Sequence, residues 1–203
     1  MTKVLKIRLT FAQGSTPGFS LLLQSGFLVS VPDCGSIRSL LIDHLGLSPD
    51  FVDGVVQSVF LDGRPVDDLD AGKVHDGCVL ALSAAMPGLV GATMRRGGYY
   101  SCLRSGISHR EGSTPAASGW GEITVKLFNL VASEVGPPLL ACGIRVRGDV
   151  LADFFESRAS GFWDSCETVL VDGCSVSPLE LVARLRDAEV GLLEVGENER
   201  LSD

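Results

Sequence analysis

The stretch Met86–Tyr100, MPGLVGATMRRGGYY, separates two regions of this chain that have different sequence patterns. It follows an alternating apolar segment typical of a β-strand. It also contains three glycines, Gly91, Gly97 and Gly98, which favour a flexible backbone because they lack a side chain. We interpret the residues before this stretch as one small domain and those after Trp120 as a second.

Three apolar segments open the chain and are predicted as strands, with a hairpin at the start: Val4–Phe11, Phe19–Leu23 and Phe27–Val31. A helix is expected next, because apolar residues recur at helical spacing from Ile37 to Leu45 and either Asp33 or Ser36 is available as its N-cap. Leu40, Leu41 and, in the strands that follow, Phe60 and Leu80 are expected in the core. Two strands followed by a helix and more strands indicate an α+β fold with the helix across one sheet face.

The end of this first region resembles the MoaD/ThiS sulfur carriers, which are similar in fold to ubiquitin. The resemblance rests on Leu61–Val66, LDGRPV, whose Asp-Gly pair suits a tight turn, and on Val74–Leu82, VHDGCVLAL. It covers about Val4–Gly98 and implies a β-grasp domain at residues 2–91.

The resemblance also implies a function. In that family an E1-type activating enzyme adenylates the last glycine of an extended tail, which then forms a thiocarboxylate or an isopeptide. The carrier tail would here include Gly91, Gly97 and Gly98. None of these glycines is the last residue, so the tail is either exposed by proteolysis after Gly91 or Gly98 or retained as a vestige.

The second region repeats the same order of periodicities, with Phe154 and Leu170 expected in its core and Phe155 expected on the same helical face as Phe154. Several residues recur at an offset of 110 and then 111: Asp62-Gly63 with Asp172-Gly173, Val66 with Val176, Leu69 with Leu179, Asp76 with Asp187, Val79 with Val190, and Leu82 with Leu193. The sequence therefore predicts tandem β-grasp (ubiquitin-like) domains at 2–91 and 122–195, a Gly/Arg/Ser-rich linker at 92–121 and an acidic tail at 196–203.

Arginines and tyrosines alternate through the start of this linker. Its four arginines and one glutamate give residues 92–112 a charge of +3, which leaves −11 for the rest of a chain whose net charge is −8. Aromatic residues among arginines are typical of single-strand nucleic acid binders, but the acidic remainder opposes phosphate binding. The linker docking on its own acidic domains is one alternative. We predict instead a contact with another protein, formed by Arg95, Arg96, Tyr99, Tyr100 and Arg104.

Catalysis, cofactors and membranes are not indicated by the sequence. Six cysteines and three histidines lack metal-ligand spacing, and no nucleophile or phosphate-loop pattern is present, so we expect no enzyme activity, metal or cofactor. The opening MTKVLKIRLTF lacks the apolar run of a signal peptide, which predicts a cytoplasmic protein that does not bind membranes. Two functions remain: a carrier or modifier acting through its glycine tail, or a noncatalytic interaction or assembly subunit that docks on a larger enzyme complex.

Overall fold

The computed structural model describes residues 3–16, 18–32, 35–104 and 119–198, and their architecture is mixed α/β. The strands are β1 Val4–Phe11, β2 Phe27–Pro32, β3 Ser58–Leu61, β4 Arg64–Pro65, β5 Val79–Ser83, β6 Trp120–Phe128, β7 Ile144–Arg147, β8 Cys166–Val171, β9 Cys174–Ser175 and β10 Val190–Glu197. The helices are α1 Ser20–Ser25, α2 Ile37–Ser39, a π-helix Leu40–His44, α3 Pro49–Gly54, α4 Gly88–Met94, a 3-10 helix Tyr99–Arg104, α5 Asn129–Cys142, α6 Gly148–Glu156, α7 Ser160–Asp164 and α8 Pro178–Arg186.

The chain forms two compact units that do not follow the domain boundaries expected from the sequence. Unit 1 combines Met1–Phe27 with Gly136–Asp203, and unit 2 is Leu28–Val135. The first strand of the chain therefore belongs with its last third. Each of the sequence segments 2–91 and 122–195 contributes strands to both units.

Unit 1 is built on a sheet with the strand order β7-β10-β1-β8-β9. Strand β1 lies parallel to β10 and antiparallel to β8. Its alternating sequence explains its central position, because one face places a row of apolar side chains in the core: Leu5, Ile7, Leu9 and Phe11. An aromatic cluster from α6, α7 and Phe19, the residue before α1, packs against the end of β1, with ring centroids 5.6 Å apart for Phe11 and Phe162.

Unit 2 is built on a sheet with the order β4-β3-β5-β6-β2. Strand β5 lies parallel to β6 and antiparallel to β3. The predicted helix after residue 36 is present as α2 followed by the π-helix, and the side chain of Ser36 accepts a hydrogen bond from the backbone N–H of Ser39. Leu40, Leu41 and Leu80 are buried, as expected.

In each unit the central parallel pair joins one strand that precedes residue 92 to one strand that follows residue 119. In unit 1 the pair is β1 with β10, and in unit 2 it is β5 with β6. Parallel strands cannot be joined by a tight hairpin, so long segments of chain separate the members of both pairs. The hairpin expected at the start of the chain is wrong, because helix α1 follows β1 and β1 pairs instead with β8 and β10.

Three local predictions also need correction. Residues Phe19–Leu23 were expected to be a strand, but Ser20–Ser25 is helix α1, since a short apolar run fits either structure. Phe60 and Leu170 were expected to be buried but are only half-buried. They lie on the opposite strand face from fully buried neighbours, such as Leu61 and Val171. Phe154 and Phe155 are confirmed on a helix, and both are buried in the core.

Candidate protein-binding surface

Residues 86–104, here called the arginine segment, lie in unit 2 directly after strand β5. Helix α4 begins after Pro87, and a turn at Gly97, with φ +61°, leads into the 3-10 helix. The first part of the predicted linker, residues 92–104, is therefore folded, whereas residues 105–118 lie outside the described part of the chain. Among the described residues, every helix is too short or too polar to cross a lipid bilayer.

The three glycines of the expected carrier tail serve as packing and turn positions. Gly91 is buried in α4, where a Cβ atom would overlap the carbonyl oxygen of Met86. Gly98 donates its N–H to the carbonyl of Arg95 and accepts a hydrogen bond from the N–H of Ser101. Such a backbone is not extended. The structure therefore places Gly91, Gly97 and Gly98 inside a folded element instead of a free tail.

Arg96 fixes the arginine segment to helix α3 and the loop that follows it. Its backbone N–H donates to the carbonyl of Gln57 at 2.7 Å, and its guanidinium donates to the carbonyls of Val52 and Val56 at 2.9 and 3.2 Å. The guanidinium also lies 3.8 Å from a carboxylate oxygen of Asp53. Burial lowers the pKa of Arg96 from its ordinary value, and the charge of Asp53 opposes that change.

Arg104 joins the 3-10 helix to the end of α4 and to the body of the unit. Its side chain is only 3% exposed, and it donates to the carboxylate of Asp67 at 2.7 Å and to the carbonyl of Thr93 at 2.6 Å. The same oxygen of Asp67 accepts the N–H of Gly97 at 3.0 Å. Arg96 and Arg104 were both expected to contact a partner, but the structure uses their charged groups for internal packing.

Acidic residues of unit 2 receive these arginines. Asp53 is shared between Arg96 and Arg38, whose guanidinium also binds Asp70. Asp68 instead accepts the backbone N–H groups of Asp70 and Ala71, and these bonds lower the pKa of its carboxyl. Arg96 and Arg104 therefore contact acidic residues of their own unit, as the alternative of a linker docked on its own acidic domains expects.

Arg95, Tyr99 and Tyr100 point to a different role, because they lie at the surface. The side chain of Arg95 is exposed and forms no ion pair or hydrogen bond within the described residues. Tyr99 is 88% exposed and its ring packs edge to face against that of Tyr100, with centroids 5.1 Å apart. These three residues line a surface groove of about 560 Å³ together with Ala85, Met86, Pro87, Gly88, Ala92 and Gly98.

Three more apolar residues of the segment are exposed: Leu89, Val90 and Leu103, at 70%, 71% and 70%. The segment thus provides five of the ten large apolar residues that are exposed in the described chain, which distinguishes it from the scattered exposure that is normal for surfaces. The sequence interpretation missed these three. One signal was available for Leu89 and Val90: two successive apolar residues in a short helix cannot both face the core.

The packing of unit 2 also accounts for a histidine and a cysteine, His75 and Cys78. A ring nitrogen of His75 lies 3.2 Å from the carboxylate of Asp62. Cys78, the residue directly before β5, is buried, and this burial raises the pKa of its thiol. No group of three or more metal-ligating side chains occurs in the described ranges. Comparisons with family models, with curated proteins and with solved structures gave no match for this chain.

Proposed function

We propose that this protein is a noncatalytic interaction or assembly subunit that docks on a larger protein through the arginine segment. The observation that supports this most directly is the contrast between its arginines: Arg96 and Arg104 fix the segment internally, while Arg95 is exposed beside a groove. A rigid segment loses little conformational freedom on binding, and this favours affinity.

The composition of the exposed surface also supports docking on a protein. Tyrosine and arginine are enriched among residues that dominate the binding free energy of protein interfaces. Tyr99 and Arg95 supply both types, and Leu89, Val90 and Leu103 add apolar area. Nucleic acid is a poorer match, because the arginine segment exposes one arginine, Arg95, and the chain as a whole has a net charge of −8, which gives little attraction to phosphates.

The carrier function would require the arginine segment to lose its folded structure. Helix α4 would have to unfold to release Gly91, and the turn held by Asp67 and Arg104 would have to open to release Gly98. The chain would then have to be cleaved. The packing of the segment therefore supports docking in preference to threading of a tail into an activating enzyme.

A β-grasp origin of the two halves, in the MoaD/ThiS-like superfamily, is a separate proposal. It is supported by the two Asp-Gly turns, in which Asp62 and Asp172 have φ values of 50° and 51°. The residues after each turn also match, since Val66 donates its N–H to Val59 and Val176 donates to Val169. Unit 1 contains β1 from the first half of the chain, and unit 2 contains β6 from the second half. Two β-grasp repeats would therefore have exchanged these strands.

Photo-crosslinking in the native host tests the docking function. A photoreactive phenylalanine at position 99 should give a discrete adduct with one protein, identified by mass spectrometry. The matched control is position 179, since Leu179 is 82% exposed but lies in unit 1. Replacing Leu89 and Val90 with aspartate should remove the adduct without changing the fold, because both side chains are exposed. Identical adduct patterns at 99 and 179 would contradict the proposal.

A further inference from the structure

The groove of the arginine segment has the chemistry to select one kind of partner. Its lining is almost entirely uncharged, being formed by backbone, small or apolar side chains and two tyrosines, and Arg95 is the one charged residue among the nine that line it. A guanidinium presents a planar fork of donors that matches a carboxylate and can bind it through two hydrogen bonds. A single cation in apolar surroundings favours a single anion over a polyanion.

Competition from the protein's own acids is limited at this position. Asp67 is bound to Arg104 and Gly97, while Asp53 and Asp70 are bound to Arg38. Arg96, the adjacent residue, is likewise used internally. Arg95 therefore differs from its neighbours because no carboxylate of the described residues neutralises it.

Apolar side chains line the groove together with Arg95. Met86, Pro87 and Ala92 line it from α4 and the residues just before that helix, and Tyr99 and Tyr100 line it from the 3-10 helix. A ligand that fills the groove therefore needs apolar groups beside its carboxylate. An internal aspartate or glutamate has chain on both sides to carry such groups, whereas a terminal carboxylate has chain on one side only.

We propose that the groove binds a protein segment in which one Asp or Glu side chain lies between apolar residues, with Arg95 binding the carboxylate and the apolar residues that line the groove covering its neighbours. This inference rests on the proposed docking function and specifies its partner. Removing the carboxylate or the guanidinium should weaken binding by about tenfold, the effect of one lost charge-assisted contact.

The test uses the full chain and a library of random 12-residue peptides displayed on phage. Selected peptides should be enriched in a single Asp or Glu flanked by apolar residues. Their synthetic, amidated forms should bind Arg95→Gln about tenfold more weakly than the original protein, and Arg64→Gln, a change at another exposed arginine of unit 2, should bind normally. Replacing the peptide's Asp with Asn should produce the same loss, and the two losses should not add. Thermal unfolding of both variants should match that of the original chain.

Several results would overturn the inference. These are selected peptides without acidic enrichment, equal affinity for Arg95→Gln, or binding of free-acid peptides alone, which would transfer the site to a chain terminus. Crosslinks from position 99 separate this failure from failure of the proposed function. If the crosslinks persist while Arg95→Gln binds the peptides as tightly as the original protein, only the proposed acidic partner segment is wrong. If the crosslinks are absent as well, both proposals fail.

Discussion

The carboxylate of Asp172 accepts a hydrogen bond from the backbone N–H of Lys6 at 3.0 Å, across 166 residues of chain. In unit 2 the equivalent turn residue, Asp62, accepts the N–H of Val79 at 2.8 Å. Both residues also return the bond through their own N–H groups, to the carbonyls of Lys6 and Val79. Strand β1 therefore has the same position beside the Asp172-Gly173 turn as β5 has beside the Asp62-Gly63 turn.

The exchanged strands predict that neither half of the chain folds by itself. Separate expression of residues 1–110 and 111–203 deprives unit 2 of β6 and unit 1 of β1, with their buried residues. Each fragment should lack a cooperative unfolding transition by circular dichroism, and the two mixed or coexpressed should regain it. Cooperative unfolding of fragment 1–110 alone would show that its strands complete a unit without β6.

Removing the turn carboxylate should destabilise unit 1. Asp172→Ala removes the acceptor for the Lys6 N–H and places alanine at φ 51°, so we expect the free energy of unfolding to fall by about 1–2 kcal/mol. Asp172→Asn keeps a side-chain oxygen in a residue that tolerates this φ, and should cost less. Urea denaturation gives both values, with Asp62→Ala as the matched change in unit 2. Equal stability of the Ala and Asn variants would exclude the hydrogen bond as the cause.

Local patterns in the sequence were sufficient for the Asp-Gly turns, the Ser36 cap and the helix of Phe154 and Phe155, because each depends on residues within a few positions. The pairing of strands does not depend on nearby residues alone. An alternating segment such as β1 specifies which of its faces is buried but not which strand lies beside it. The apparent match of Val79 with Val190 fails for this reason, since β5 and β1 occupy equivalent places beside the two turns.

The separate roles of the residues in the arginine segment could not be predicted from the sequence. The sequence identified an unusual arginine segment, yet Arg95 and Arg96 are identical neighbours in any local pattern. Their difference depends on the carbonyls of Val52 and Val56, which lie about 40 residues away in the chain. The same limit explains Phe60 and Leu170: both stand among apolar neighbours, so the pattern did not indicate which strand face the rest of the fold would cover.

The two roles of the arginines predict a loss of stability when Arg104 is removed and almost no change when Arg95 is removed. Arg104→Ala removes the side-chain donor to the carbonyl of Thr93 and leaves the carboxylate of Asp67 with the N–H of Gly97. It should lower the free energy of unfolding by about 2 kcal/mol, a value reduced by the partial exposure of Asp67. Arg95→Ala removes an exposed side chain and should change it by less than about 0.5 kcal/mol. Chemical denaturation of both variants measures the difference. A similar loss for both would indicate that Arg95 also has a structural role.

Gly91 provides the sharpest test of whether the glycines belong to a folded segment or to a carrier tail. In the folded segment, Gly91→Ala forces a Cβ atom against the Met86 carbonyl, and the resulting overpacking should cost about 1–3 kcal/mol. The matched control is Gly54→Ala in α3, where a Cβ atom would meet no atom within 4 Å and alanine should be neutral or stabilising.

The result separates the two functions because a tail has no packing to lose. If residues 86–98 were an extended tail, both alanine variants would unfold at the same denaturant concentration as the original chain or above it. Intact mass of the protein from its native host provides a second measurement. A fragment ending at Gly91 or Gly98, together with an unaffected Gly91→Ala variant, would favour the carrier function. Full-length chain with a destabilised Gly91→Ala variant is the outcome we expect, since the buried glycine stabilises the surface that exposes Arg95 and Tyr99.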